Sequence, residues 1–167
     1  MQPQQLSREL RLGTNPDLDR RRWIIGLSFV GAAVGKIVSL YQTGIVKHLP
    51  DPPVPGFDSD RVDASNYAYS RLDTPDAFMM VVNYGLTAWL AGAGGSERSR
   101  TAPWLPVAMG AKILVDSAVA LELAREEWNE NRAFCAYCQL ATLASLASAA
   151  LAVPEVSGAV GRLLGRR

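Results

Sequence analysis

NENRAFCAYCQLATLASLASAALAVP, residues Asn129 to Pro154, is the stretch from which the rest of the chain is read. It opens polar, passes Cys135 and Cys138, and continues through about four turns of Leu, Ala, Ser and Thr without a charge. A charge-free run of this length is a candidate membrane span. Its small residues suit close packing against other membrane helices. Cys135-Ala136-Tyr137-Cys138 then falls in the first turns of a helix, where residues i and i+3 share a face. Helix N-termini stabilise thiolates, the reactive form of cysteine. These two are the cysteines of the chain, and the pattern reads as a redox dithiol at a membrane surface. Free cysteines packed as small apolar residues are the bland alternative. That alternative suits an apolar helix interior better than this polar start.

A length of 167 residues has room for one domain. A net charge of +1 and a pI near 7.8 argue against a nucleic-acid platform. One histidine and two cysteines fall short of the four ligands of a tetrahedral zinc site, so no metal is expected. No P-loop, HExxH or GxSxG pattern is present. The mean hydropathy of +0.05 averages over four apolar runs separated by polar segments.

Residues 1–22 form a polar tail ending in Arg20-Arg21-Arg22, and the first apolar run follows from Trp23 to Val46. Arginines before an apolar run also mark secretory and twin-arginine signals. This run is longer than a signal's apolar region, carries Lys36 and lacks a small-x-small cleavage site. Residues 47–76 form a long loop held extended at its start by Pro50, Pro52, Pro53 and Pro55. Val62, Tyr67, Tyr69 and Leu72 there predict a short amphipathic helix lying on the membrane. Further spans are expected at 77–94, 104–124 and 133–153, and residues 155–167 form a second tail. The expected fold is all-α: an integral membrane four-helix bundle, residues 23–154, with a long Pro-rich extracytoplasmic loop between spans one and two.

Charge placement orients it. Both tails and the 95–102 turn carry ten Lys/Arg and five Asp/Glu, whereas the 47–76 and 125–132 loops carry five Lys/Arg and nine Asp/Glu. The positive-inside rule puts both termini in the cytoplasm of a multi-pass inner (cytoplasmic) membrane protein. The dithiol then faces the outer, oxidising compartment. Trp23, Trp89, Trp104 and Trp128 all fall near span ends, as in an aromatic belt. Lys36, Lys112, Asp116 and Glu122 lie within spans. Lys36 and Asp116 are expected at equal depth and able to pair, with Lys112 to Asp116 the i,i+4 alternative. Glu122 sits near the outer mouth, within reach of water.

Three stretches carry a more specific resemblance: Ser39-Leu40-Tyr41-Gln42-Thr43-Gly44, His48-Leu49-Pro50-Asp51-Pro52-Pro53 and Phe134-Cys135-Ala136-Tyr137-Cys138. With four spans, inward termini and an outward CxxC opening the last span, the chain resembles bacterial members of the vitamin K epoxide reductase family over residues 22–154. The run Val62-Asp63-Ala64-Ser65-Asn66-Tyr67-Ala68 also resembles the family's segment after its second loop cysteine.

The resemblance implies a quinone-dependent thiol oxidoreductase, with ubiquinone or menaquinone as the membrane quinone and a thioredoxin-like protein outside the cytoplasm as the thiol partner. The family's loop cysteine pair is missing: Ser59 stands where its second member would be, and Thr142 stands where many members carry a tyrosine. Cys138 is expected to face the quinone. Cys135, nearer the helix end and the water, is expected to exchange with the partner. Asn83 lies about 9 Å inside span two, at the depth of Cys138, and its amide would bond the quinone or another helix. Phe134, with Phe78 and Met79, would wall the ring. Asp76 falls near a family quinone-binding asparagine, and Ser65 matches a loop serine expected to position the loop over the pocket. A non-catalytic membrane subunit binding a partner protein or lipid-soluble ligand is the second reading. A small transporter using Lys36, Lys112 and Asp116 ranks last.

Overall fold

The structure, a computed structural model, describes residues 2–165. Helix α1 (Pro3–Leu12) leads into the first long helix, α2 (Pro16–Gln42). The α2 start follows from its residues: Pro16 at the first position, the Asn15 side chain accepting the Asp17 N–H, and Asp17 and Asp19 in the first turn. Short helices α3 (Ser59–Asp63) and α4 (Asn66–Tyr69) break up the long loop. Then come α5 (Asp76–Gly92), the one-turn α6 (Arg98–Thr101), α7 (Trp104–Asn131) and α8 (Ala136–Leu163). Among the described residues there is no strand, only a single parallel bridge between Phe57 and Phe134.

The four long helices close a ring. α2 packs on α5 and α8, α7 packs on α8, and α5 and α7 meet most sparsely. The polarity of this ring is inverted relative to a water-soluble core. Ser28, Ser117, Ser145 and Ser148 lie buried inside, while Phe29, Val82, Leu114 and Leu143 point outward, each more than 60% exposed. Exposed apolar residues thus lie on every long helix, while small residues inside let the helices approach closely. Two positions show how close the approach is. A Cβ at Gly31 would fall 2.5 Å from the Tyr84 ring, and one at Gly110 would fall 2.5 Å from Val156.

The end of the ring away from the dithiol is tied by charge. Arg98 donates through Nε and Nη2 to both oxygens of Glu155, at 2.7 and 2.8 Å, and through Nη1 to the carbonyls of Leu90 and Ala93. Arg21 donates to the carbonyls of Ala91, Gly94 and Gly95. These contacts correct two sequence expectations. Arg21 is buried, not part of a solvated tail. α8 does not stop before Pro154 but runs to Leu163, because Glu155 on it is held by Arg98 and Ala159 is buried.

The expected Lys36–Asp116 pair does not form. Lys36 lies exposed on the outer side of α2, and Lys112 takes Asp116 along the same helix. Lys112 Nζ also donates to the Asn83 carbonyl and Thr87 Oγ1 on α5, an anchorage Lys36 cannot reach. Glu122 pairs with Arg125 at the surface. Trp23, Trp89 and Trp104 stand exposed at the Arg98 end. Trp128 does not join them: it stacks on Phe134, ring centroids 5.2 Å apart.

Candidate active site

α7 ends at Arg132, whose left-handed backbone (φ 52°) turns the chain sharply into Ala133–Cys135 and α8. Cys135 is the N-cap of α8, and its Sγ accepts the Cys138 N–H at 3.2 Å. A sulfur in the usual place of a capping oxygen puts both thiols at the positive end of the helix.

The long loop is fastened down over this end. Ser59 Oγ accepts the Ala136 N–H at 3.0 Å and donates to Asp51, which also receives the Ser59 N–H. Asp58 N–H donates to the Phe134 carbonyl, and Phe134 N–H to that of Gly56. Tyr41 donates to the Asp60 carbonyl, Tyr137 to that of Pro50, and Tyr67 to that of Leu123. Val62 and Tyr67 are buried inside the protein, Val62 against Ala133 and Cys135. The loop is therefore a lid on the helix ends, and these residues do not form the lipid-facing amphipathic helix the sequence suggests.

This lid reverses one expectation about access. Cys135, expected nearer the water, is 0% exposed beneath α3, while Cys138 one turn deeper is half-buried. Cys138 lines a cavity of about 650 Å³ between α5, α7 and α8, roofed by α3 and α4. Its walls include Met79, Met80, Val119 and Leu123, and exposed Val82 and Val115 carry it out to the outer apolar surface where α5 and α7 meet sparsely.

Two buried carboxylates flank the dithiol. Asp63, on α3, places Oδ1 3.9 Å from Cys138 Sγ, and its Oδ2 is buried without a partner. Glu127, beyond the apolar part of α7, accepts the Cys135 N–H at 3.2 Å and the Gln139 amide at 3.0 Å. Burial pushes both carboxyls up to about 7; the hydrogen bonds they accept oppose the rise, and neighbouring acids add to it. Asp63 Oδ and the two sulfurs lie within 4.8 Å of one another. Three donors are one short of a tetrahedral metal site. The cluster reads instead as a dithiol with a proton-holding group beside it.

Of the residues singled out by sequence, Cys138, Asn83 and Asp76 line the cavity. Asp76 accepts from Gln42 Nε2 at 2.8 Å. Phe78 and Met79 are also in the wall. Phe134 is not: its ring packs on Trp128 and Phe57, where it holds the lid instead of a ligand. Ser65 stays outside the cavity too and bonds the Val62 carbonyl at 2.6 Å, closing the α3–α4 turn. Asp63, Glu127 and Tyr84 join the site without standing out in the sequence pattern. For Asp63 a signal exists: it stands four residues after Ser59, hence on the same helical face.

Comparison with known protein families matches residues 22–153 to the vitamin K epoxide reductase family. The chain belongs to this family. Membership supports, at the level of the family, a membrane redox enzyme of the vitamin K epoxide reductase kind that acts on thiols. α2 and α8 are each long and apolar enough to cross a membrane. No curated protein and no solved structure matches the chain. Ser59, which the sequence resemblance sets at a loop-cysteine position, sits at the first turn of α8, hydrogen-bonded to the residue after Cys135.

Proposed function

We propose that this member is a quinone-dependent thiol oxidoreductase in which Cys135 and Cys138 are oxidised to a disulfide, supporting disulfide formation outside the cytoplasm. One observation carries the reading: Cys138 lies on the wall of a largely apolar cavity that reaches the lipid-facing surface. Its volume falls within the range of ligand pockets, and its few polar groups converge from different elements. A quinone ring fits that donor set. Met79, Met80 and Val119 supply apolar wall, Asn83, Tyr84 and Asp63 line it too, and Asp63 Oδ2 is a buried oxygen without a partner. A quinone bound there supplies a two-electron, two-proton acceptor for the dithiol.

The four long helices cross the membrane, since α5, at 17 residues and about 25 Å, is at the short end of a sufficient span. Both termini lie in the cytoplasm by the placement of basic residues, and the lid lies outside. A thioredoxin-like protein is the proposed thiol partner. With no loop cysteine at Ser59 to relay electrons, the partner thiol attacks the Cys135–Cys138 disulfide directly, and the lid of α3 must move aside for it to reach Cys135.

The test is thiol oxidation in purified, pre-reduced protein in detergent, with ubiquinone or menaquinone added. Both thiols are expected to disappear together into one intramolecular disulfide, read as loss of alkylation by mass. Thiols that stay reduced with every quinone refute the enzyme reading and favour a non-catalytic subunit that binds a lipid-soluble ligand in the same cavity.

A further inference from the structure

The dithiol sits beside a carboxylate whose surroundings have no structural explanation. Asp63 is 2% exposed, and its Oδ2 makes no hydrogen bond. The N-cap of α3 is Asp58, so Asp63 is not needed to start that helix; it stands at the C-terminal end, where the backbone dipole disfavours a negative charge. Other acids and weak acids face it from every side: Cys135 and Cys138 on α8, Glu127 on α7, Asp76 at the start of α5, Asp51 and Tyr69 in the loop, and Tyr41 on α2. The nearby cation, Arg71, is engaged with Glu126 at 2.7 Å and lies over the Tyr67 ring. No ion pair neutralises Asp63 among the described residues. A carboxyl kept here at a cost to stability is one whose chemistry is used.

We propose that Asp63 is a catalytic residue, the proton acceptor of Cys138 and the proton donor into the cavity. The inference rests on the quinone reading above and deepens it. Forming the Cys135–Cys138 bond breaks two S–H bonds and releases two electrons and two protons. Asp63 takes the Cys138 proton on the carboxylate whose Oδ1 lies 3.9 Å from Sγ, and delivers it from the side that lines the cavity. Asp63 then takes the Cys135 proton as the disulfide closes, since all three side chains lie within 4.8 Å. Two electrons and both protons thus leave the dithiol together, and a quinone held in the cavity would supply the acceptor for both. Burial brings the Asp63 carboxyl to about 7, where one group can both accept and donate near neutral pH. Glu127 also neighbours the Cys138 thiol, but its Oε2 already accepts the Cys135 N–H and the Gln139 amide, whereas Asp63 keeps a buried oxygen with no partner.

Two readouts test this in the full chain. The first needs no quinone. In a Cys135→Ser background, alkylation of Cys138 is followed against pH in three proteins: one with Asp63 intact, one with Asp63→Asn and one with Asp63→Glu. Removing the neighbouring charge is expected to move the Asp63→Asn profile about one to three units toward lower pH, while Asp63→Glu keeps the parent profile. The second is dithiol oxidation by added ubiquinone or menaquinone in the two-cysteine protein. Asp63→Asn is expected to slow it about 10²-fold or more at saturating quinone, with part of the rate restored in Asp63→Glu. An unmoved alkylation profile in folded Asp63→Asn, or oxidation at the parent rate, overturns the proposal. If the parent itself ignores quinone, the enzyme reading fails alone. The alkylation profile then still decides Asp63: a moved profile sustains its exchange with Cys138, and an unmoved one ends it.

Discussion

Glu155→Gln should be the most damaging single-atom change in the protein. Arg98 and Glu155 form a bidentate pair at 2.7 and 2.8 Å, with both side chains at least 98% buried, and the Arg21 guanidinium lies 3.9 Å from the same carboxylate. One negative charge therefore faces two positive ones away from water. The amide in Glu155→Gln can accept one of the two Arg98 donors, but its NH₂ meets the other N–H donor to donor. The change leaves both guanidinium charges uncompensated and a donor unpaired. Removing one partner of a buried pair costs about 3–5 kcal/mol. For a chain of this size 1 kcal/mol moves the melting temperature by about 2–4 °C, so a drop on the order of 10 °C is expected in detergent. Arg98→Met with Glu155→Leu should recover much of the loss, since Arg21 keeps its three backbone carbonyl acceptors. Melting of Glu155→Gln within about 2 °C of the parent would show that the cluster carries no such energy.

Two further outcomes concern the other end. Ser59→Ala removes the acceptor of the Ala136 N–H and one bond to Asp51, so it should loosen the lid by about 1–2 kcal/mol. Alkylation of Cys135 in a Cys138→Ser background should then be roughly tenfold faster, and an unchanged rate would refute Ser59 as the latch. Asp63 also makes stability depend on pH. Its carboxyl is raised from 3.8 to about 7, so the folded state holds the proton more tightly, and stability falls as pH rises from about 4 to 7. Above that range the cost approaches roughly 4 kcal/mol. Asp63→Asn should therefore melt higher than the parent at pH 8 and no higher below pH 4; a gap that ignores pH would remove the assignment.

What was legible in the sequence is what depends on local pattern. The charge-free run after Cys138 becomes α8, and the CxxC opens it, because apolar length and helix-start geometry need no partner to be recognised. Asn83 reaches the cavity because depth along a helix follows from residue rise, whereas Asp76, also in its wall, is marked only by the family resemblance. The errors come where a distant residue decides. The last span is expected to end at residue 153, but Glu155 is held by Arg98, 57 positions away, and the helix runs on to Leu163. Lys36 and Lys112 are equally plausible partners for Asp116 until the facing of α2 is known. Phe134 looks like pocket wall beside two cysteines, yet Trp128 and Phe57 claim its ring. Cys135 looks exposed because a helix start usually is; only the lid, pinned by Ser59 and Asp51, shows it covered.

The two ends of the ring answer the same problem, buried charge, in opposite ways. At the Arg98 end the Glu155 carboxylate is paired on both oxygens and the Arg21 and Arg98 guanidinium donors are taken up by Glu155, by backbone carbonyls and by Met109 sulfur. That end has nothing left to offer a ligand, and its role is to hold four helices together. At the dithiol end Asp63, Asp76 and Glu127 are gathered beside Arg71, a cation already engaged with Glu126, and one buried Asp63 oxygen has no partner. Such a site is costly to keep and is not explained by packing, since apolar residues at Asp63 would fill the same space without the penalty. The chemistry proposed at Cys138 would account for it, and the fully paired far end supplies the stability that makes the open end tolerable.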